Sequence, residues 1–150
     1  MTVGPFTLVD AAMEKILDGT ISLTGDTFQA VLITAAHTAA VTDDTWSDVS
    51  ASEATGTGYT TEGVAVSPLS VSRTGAITTV DSATNPSWNP ATVSAKYLYV
   101  VRRAGGALAA GDLILGYLDL NTGGGNMSAI ADEFSVTWPA TGLFTWTRAP

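Results

Sequence analysis

Beyond residue 18 the chain has almost no helical period. Its apolar residues come in short runs and alternations, and this limits the fold more than any other feature. Residues 27–34 (TFQAVLIT) are apolar at nearly every position, as in a strand covered on both faces. Residues 95–103 (AKYLYVVRR) form the clearest strand, with Tyr97, Tyr99 and Val101 on one face and Leu98 and Val100 on the other. A Gly/Ala loop over 104–111 leads to a strand at 113–120 (LILGYLDL), and these two strands are expected to pair as a hairpin. In 64–71 the apolar residues Val64, Val66, Leu69 and Val71 are interrupted by Pro68, which cannot donate to a ladder and marks an edge or bulge. Residues 77–80 are a short strand. Residues 133–138 and 143–147 flank Pro139-Ala140-Thr141-Gly142, a turn composition that predicts a closing hairpin. Six to eight strands follow a single helix.

That helix is predicted over 7–18. Val9, Ala12, Met13, Ile16 and Leu17 form an apolar stripe of period 3.6, Thr7 is the expected N-cap, and Gly19 suits a left-handed C-terminal cap. Residues 1–6 are read as an N-terminal arm. With 150 residues and no long linker, the chain is expected to be one domain, 1–150, that buries a self-sufficient core. The expected fold class is mainly β: the pattern favours a two-sheet antiparallel β-sandwich or barrel, and the sandwich is taken, with one N-terminal α-helix.

Charge excludes several functions. Six Lys and Arg against 14 Asp and Glu leave a net charge of −8, so the chain lacks the basic surface that phosphate backbones require. Only Arg102 and Arg103 are adjacent, which reads as the polar end of a strand. No apolar run approaches the length of a membrane-spanning helix, and residues 1–15 lack the pattern of a secretory leader. No direct nucleic-acid or membrane partner is expected. Without cysteine there is no disulfide, thiolate zinc site or cysteine nucleophile.

The residues that could carry chemistry are few. His37, the sole histidine, sits in TAAHTAA after a strand and reads as part of a surface loop, and no G-x-S-x-G elbow nominates a serine for it. Asp43, Asp44 and Asp48 lack the spacing of a calcium loop and read as turn-forming residues in a solvated segment. Trp46 and Val49 mark a piece of the long 35–62 segment that packs down. Gly123-Gly124-Gly125 lacks the Lys of a phosphate loop, and Gly56-Thr57-Gly58 precedes no helix, so both are assigned to turns and tight crossings. No catalytic, cofactor-binding or metal-ligating residue is therefore assigned, and the chain is read as a non-enzyme. Most of the aromatics are assigned to the core.

The order of segments FTLVDAAMEKILDGTISL, DTFQAVLIT, TDDTWSDVSASEATGTGYTTEG, AKYLYVVRR, LILGYLDL and FSVTWPATGLFTW resembles small tailed-bacteriophage virion proteins encoded with the head genes. The resemblance implies a capsid cement or decoration protein with a jelly-roll-like sandwich. Such a protein is made in the host cytoplasm and sits outside an icosahedral shell on the major capsid protein. It needs no cofactor, and a homo-oligomer, dimer or trimer, is expected on the shell. A head-fibre or tail component is the neighbouring alternative; a carbohydrate-binding or adhesive sandwich module is the other. Val3, Phe6 and Trp46 are the candidate protein-interface residues.

Overall fold

The computed structural model describes residues 4–149. The protein is mainly β, with antiparallel sheets and two short helices. In chain order the elements are β1 (Thr7–Leu8), α1 (Asp10–Leu17), β2 (Thr27–Ile33), α2 (Trp46–Val49) with a 3-10 turn (Ser50–Ser52), β3 (Val64–Ala65), β4 (Leu69–Thr74), β5 (Ile77–Ser82), β6 (Ser87–Ala95), β7 (Tyr97–Arg103), β8 (Ile114–Asp119), β9 (Met127–Ser135) and β10 (Phe144–Thr147). Hydrogen bonding groups the strands into a five-stranded sheet, β1-β8-β7-β2-β3, a three-stranded sheet, β10-β5-β4, and a two-stranded sheet, β6-β9. No helix among the described residues is long and apolar enough to cross a membrane.

The five-stranded sheet forms where the apolar runs predicted it. β2 and β7 pair along their full length, from Thr27↔Arg103 to Ile33↔Tyr97, and six of the seven β2 residues are buried. Residues opposite one another in antiparallel strands share a face. Val31, Tyr99 and Tyr117 therefore lie on one side, and Ala30, Val100 and Gly116 on the other. β7 and β8 make the expected hairpin, with a register shift after Val100.

Four local expectations change. The helix begins at Asp10 with Val9 at the N-cap, because the backbone of Thr7 pairs with Tyr117 in β1. Leu17, the last stripe residue, is 77% exposed. The single strand expected over 64–71 is split at Pro68 into β3 and β4, each at the edge of its sheet. The closing hairpin does not form: β9 pairs with β6, and β10 pairs with β5. β6 lies outside the strands expected from sequence, since Asn89, Pro90 and three hydroxyl residues mask its alternation of Trp88, Ala91, Val93 and Ala95.

One contiguous core takes side chains from all three sheets. Phe6 stacks on Phe144 of β10, with ring centroids 6.0 Å apart, and fills the room left by the missing side chain of Gly116. Trp88 of β6 meets Tyr59 on one side and Phe134 of β9 on the other. The segment GTGYTTEG is a strap across this assembly. Gly58 (φ 78°) lies against the Pro90 carbonyl of β6 and Gly63 (φ 74°) against the Ala30 carbonyl of β2, both too closely for any side chain.

Tyr59 anchors the strap. Its hydroxyl donates to Glu53 Oε1 at 2.9 Å and accepts from the Leu32 N–H at 3.2 Å, while the Glu62 N–H donates to the same Glu53 oxygen. Burial pushes the Glu53 carboxyl above its ordinary value, and the nearby charge of Glu62 adds to this. The hydrogen bonds from the Glu62 N–H and Tyr59 offset only part of that rise. A raised folded value means that folding favours the protonated acid, so its charge is a cost at neutral pH that fades as pH falls through that value. Glu53→Gln keeps the acceptor and removes the charge. Urea unfolding at pH 7 is expected to show an unchanged or higher midpoint, with a flatter pH dependence just above the ordinary carboxylate range.

Candidate interaction surface

The titratable groups with the most chemical potential are engaged inside the fold. Asp43, read from sequence as part of a solvated segment, is 7% exposed. Its Oδ2 accepts the Tyr99 hydroxyl at 2.6 Å and the Ala40 N–H at 2.9 Å, and lies 2.9 Å from His37 Nε2. His37, placed by sequence in a surface loop, is thereby held against the sheet, and its ring meets Tyr99 edge-on at 6.1 Å. Burial would raise the Asp43 carboxyl, but the hydrogen bonds from Tyr99, His37 and Ala40 overcome it and hold it below the usual range. Tyr99 moves the other way. Burial, and then the hydrogen bond and charge of Asp43, push its hydroxyl far up, the reverse of an activated nucleophile. The cluster pins the 37–49 segment to β7.

The other two acids of the trio also hold structure. Asp44 Oδ1 accepts the Ala11 N–H in the first turn of α1 at 3.3 Å. Asp48 accepts the Thr45 N–H at 2.8 Å, at the start of α2. Elsewhere Lys96 is buried between Asp119, 2.9 Å away, and the Asn121 carbonyl, and Arg102 pairs with Asp26 at 2.6 Å. Burial would raise Asp26, and the bonds from Arg102 and the Ser22 N–H reverse the direction. Among the described residues no group of three or more His, Asp or Glu is arranged to hold a metal ion.

Of the interface residues expected from sequence, Val3 lies outside the described residues. Phe6 and Trp46 are corrections: they are 9% and 7% exposed and belong to the core. Phe6 is drawn in because the Gly4 N–H bonds to the Asp119 carbonyl at 2.7 Å, which lays the arm along the sheet. Trp46 is drawn in because its N–H bonds to the Asp112 carbonyl at 2.8 Å, which docks α2 beside the β7–β8 loop. Neither offers a free contact surface.

One surface that remains open is the outer face of the β10-β5-β4 sheet. Register places Ser70, Ser72 and Thr74 of β4, Ile77, Thr79 and Asp81 of β5, and Thr145 and Thr147 of β10 on the same side. Six of these eight residues carry hydroxyls, and only Asp81 is charged. β4 is exposed from Ser70 to Thr74, and Ile77 is 44% exposed. The face is nearly neutral and rich in donors and acceptors, which suits close approach of another protein without like-charge repulsion. The strand expected from sequence ends at residue 71, so the alternation of Ser70, Ser72 and Thr74 as a polar strand face appears only in the fold. How far the face stays open depends on pairing between β5 and the distant β10, whose preceding turn lays Gly142 against Thr79 and Asp81 and leaves these two half-buried. Comparison with known proteins found no family model, curated protein or solved structure that matches the chain.

Proposed function

We propose that the chain is a structural virion protein that binds the outside of an icosahedral phage capsid and stabilises it, acting as a cement or decoration protein. The observation that carries this reading is the neutral, hydroxyl-rich outer face of the β10-β5-β4 sheet on a chain of net charge −8. Copies packed side by side on a shell of major capsid protein repel one another less when the contact face carries little charge. Many modest hydrogen-bonded contacts then add through multivalency. The resemblance in segment order implies the same reading, and a mainly β fold of antiparallel sheets around one core is compatible with it.

The carbohydrate-binding alternative required Trp46, Trp88 and Tyr59 to be presented together. Trp46 and Trp88 are buried and the hydroxyl of Tyr59 is bonded inside the fold, so these residues make no such platform. A head-fibre or tail position would use the same kind of face on a different part of the virion.

The test is to add the purified protein to shells that lack it and image them. Occupancy at regular symmetric positions and a higher shell melting temperature are expected. Placing charge on the face with Ser72→Glu and Thr145→Glu is expected to weaken uptake about tenfold or more while leaving the fold intact. Failure of the unmodified protein to co-sediment with shells would sink the proposal.

A further inference from the structure

We propose that the chain self-associates through a plug and a socket, with the Ile130 bulge of one copy seated in the cleft between α1 and the inner face of the β10-β5-β4 sheet of a second copy. The socket arises because the three-stranded sheet overruns the core. Register puts Arg73, Thr78 and Trp146 on one face, and α1 places Met13 and Leu17 opposite them. The result is an open cleft of about 700 Å³ that also reaches Arg148. No carboxylate lines it, and among the described residues neither Arg73 nor Arg148 has an acid within ion-pair distance. Two of the chain's six Lys and Arg residues therefore lie unpaired at one apolar cleft of an acidic protein.

The plug has the opposite character. Val93 faces Ala129 and Ala91 faces Asp132, so Ile130 and Ala131 together oppose Thr92 alone, a two-for-one bulge. Ala131 takes φ 51°, an uncommon conformation for a residue with a Cβ, and the Thr92 hydroxyl holds it by accepting the Ala131 N–H at 2.9 Å. The bulge leaves Ile130 79% exposed, the most of any large apolar side chain in the described fold. Asp132 and Glu133 follow it. Glu133 accepts the Ser87 hydroxyl, while Asp132 is exposed and reaches only the backbone N–H of Glu133.

Charge complementarity selects a second copy as occupant. An apolar tip beside an exposed carboxylate matches apolar walls beside two guanidiniums that no acid neutralises, although Arg73 Nε donates to the Gly75 carbonyl at 2.8 Å, and both halves are carried by the same chain. Trp and Arg are also the residue types that dominate binding energy at protein contacts. Two copies can exchange plugs reciprocally, or three can close a ring. The contact uses the inner face of the sheet, touches the outer-face residues only at Thr147, and does not rest on the capsid reading.

The test uses the purified full chain with no shell present. Sedimentation equilibrium is expected to show mass rising above 15.4 kDa with concentration. Ile130→Asp, and separately Leu17→Asp combined with Arg148→Glu, should each weaken association about tenfold or more. All three positions are exposed, so coincident melting curves will show that the fold is retained. Mixing the two variants leaves one intact plug and one intact socket, and should restore a heterodimer with a mass limited to two chains. A monomeric wild-type protein, an Ile130→Asp variant that associates like wild type, or a mixture that stays monomeric would each overturn the inference.

Discussion

Gly63→Ala is expected to lower the unfolding free energy by about 4 kcal/mol, most of the stability of a domain at the low end of the usual range. Two costs combine at this position. The backbone sits at φ 74°, where an L side chain is strained, and an added Cβ would overlap the Ala30 carbonyl of β2. Backbone cannot give way as a flexible side chain can, and β2 is locked between β7 and β3. Gly75→Ala is the matched control. Its φ is 60°, but nothing lies within 4 Å of the added atom, so its cost is the conformational part alone, about 1 kcal/mol. Urea denaturation of both variants separates the two contributions, and equal losses would show that the strap does not press on β2.

The second large effect is at Asp43. Asp43→Ala leaves the buried Tyr99 hydroxyl and the Ala40 N–H without their acceptor and should cost about 3 kcal/mol. Asp43→Asn keeps an oxygen and should cost less. The pH dependence follows from the lowered folded value of Asp43. Its stabilisation is fully present above the ordinary carboxylate range and is lost as pH falls through the depressed value. Asp26, lowered beside Arg102, acts in the same direction. Acid unfolding of the wild type should thus be steeper than that of Asp43→Asn. Parallel acid limbs would show that the carboxylate is not what ties the 37–49 segment to the sheet.

What could be read from the sequence divides along sequence distance. β2 and β7 were legible because a strand buried on both faces is apolar at every position, and no partner need be known to see it. The helix was legible at its end, where Gly19 takes φ 81°, and less so at its start, where pairing of Thr7 with distant Tyr117 removed the expected cap. Gly56 and Gly58, expected at a turn or tight crossing, do lie close against backbone, but the partners, Thr92 and Pro90 of β6, are distant in sequence and were not legible. The closing hairpin failed because Pro139-Ala140-Thr141-Gly142 signals a change of direction without naming partners. β9 turns away to β6 and β10 to β5. The cluster at Asp43 was hidden, since His37 is six positions away in sequence but Tyr99 is 56. Phe6 and Trp46 were placed at the surface because neither belongs to a periodic run. Each is buried by a backbone hydrogen bond to a segment more than 60 residues downstream.

The pairing of β5 with β10 also has a consequence for how the protein is made. Residues 77–80 leave the ribosome long before residues 144–147, yet the middle strand of the β10-β5-β4 sheet has only one neighbour until that last segment appears. β1 similarly waits for β8, and β6 for β9. The growing chain can close the β4–β5 hairpin early, but it cannot complete any of its three sheets until well over two-thirds of the 150 residues have been made. The cleft and the neutral outer face both depend on the β5–β10 pairing. The surfaces through which this protein would join others are therefore among the last features of the nascent chain to take shape.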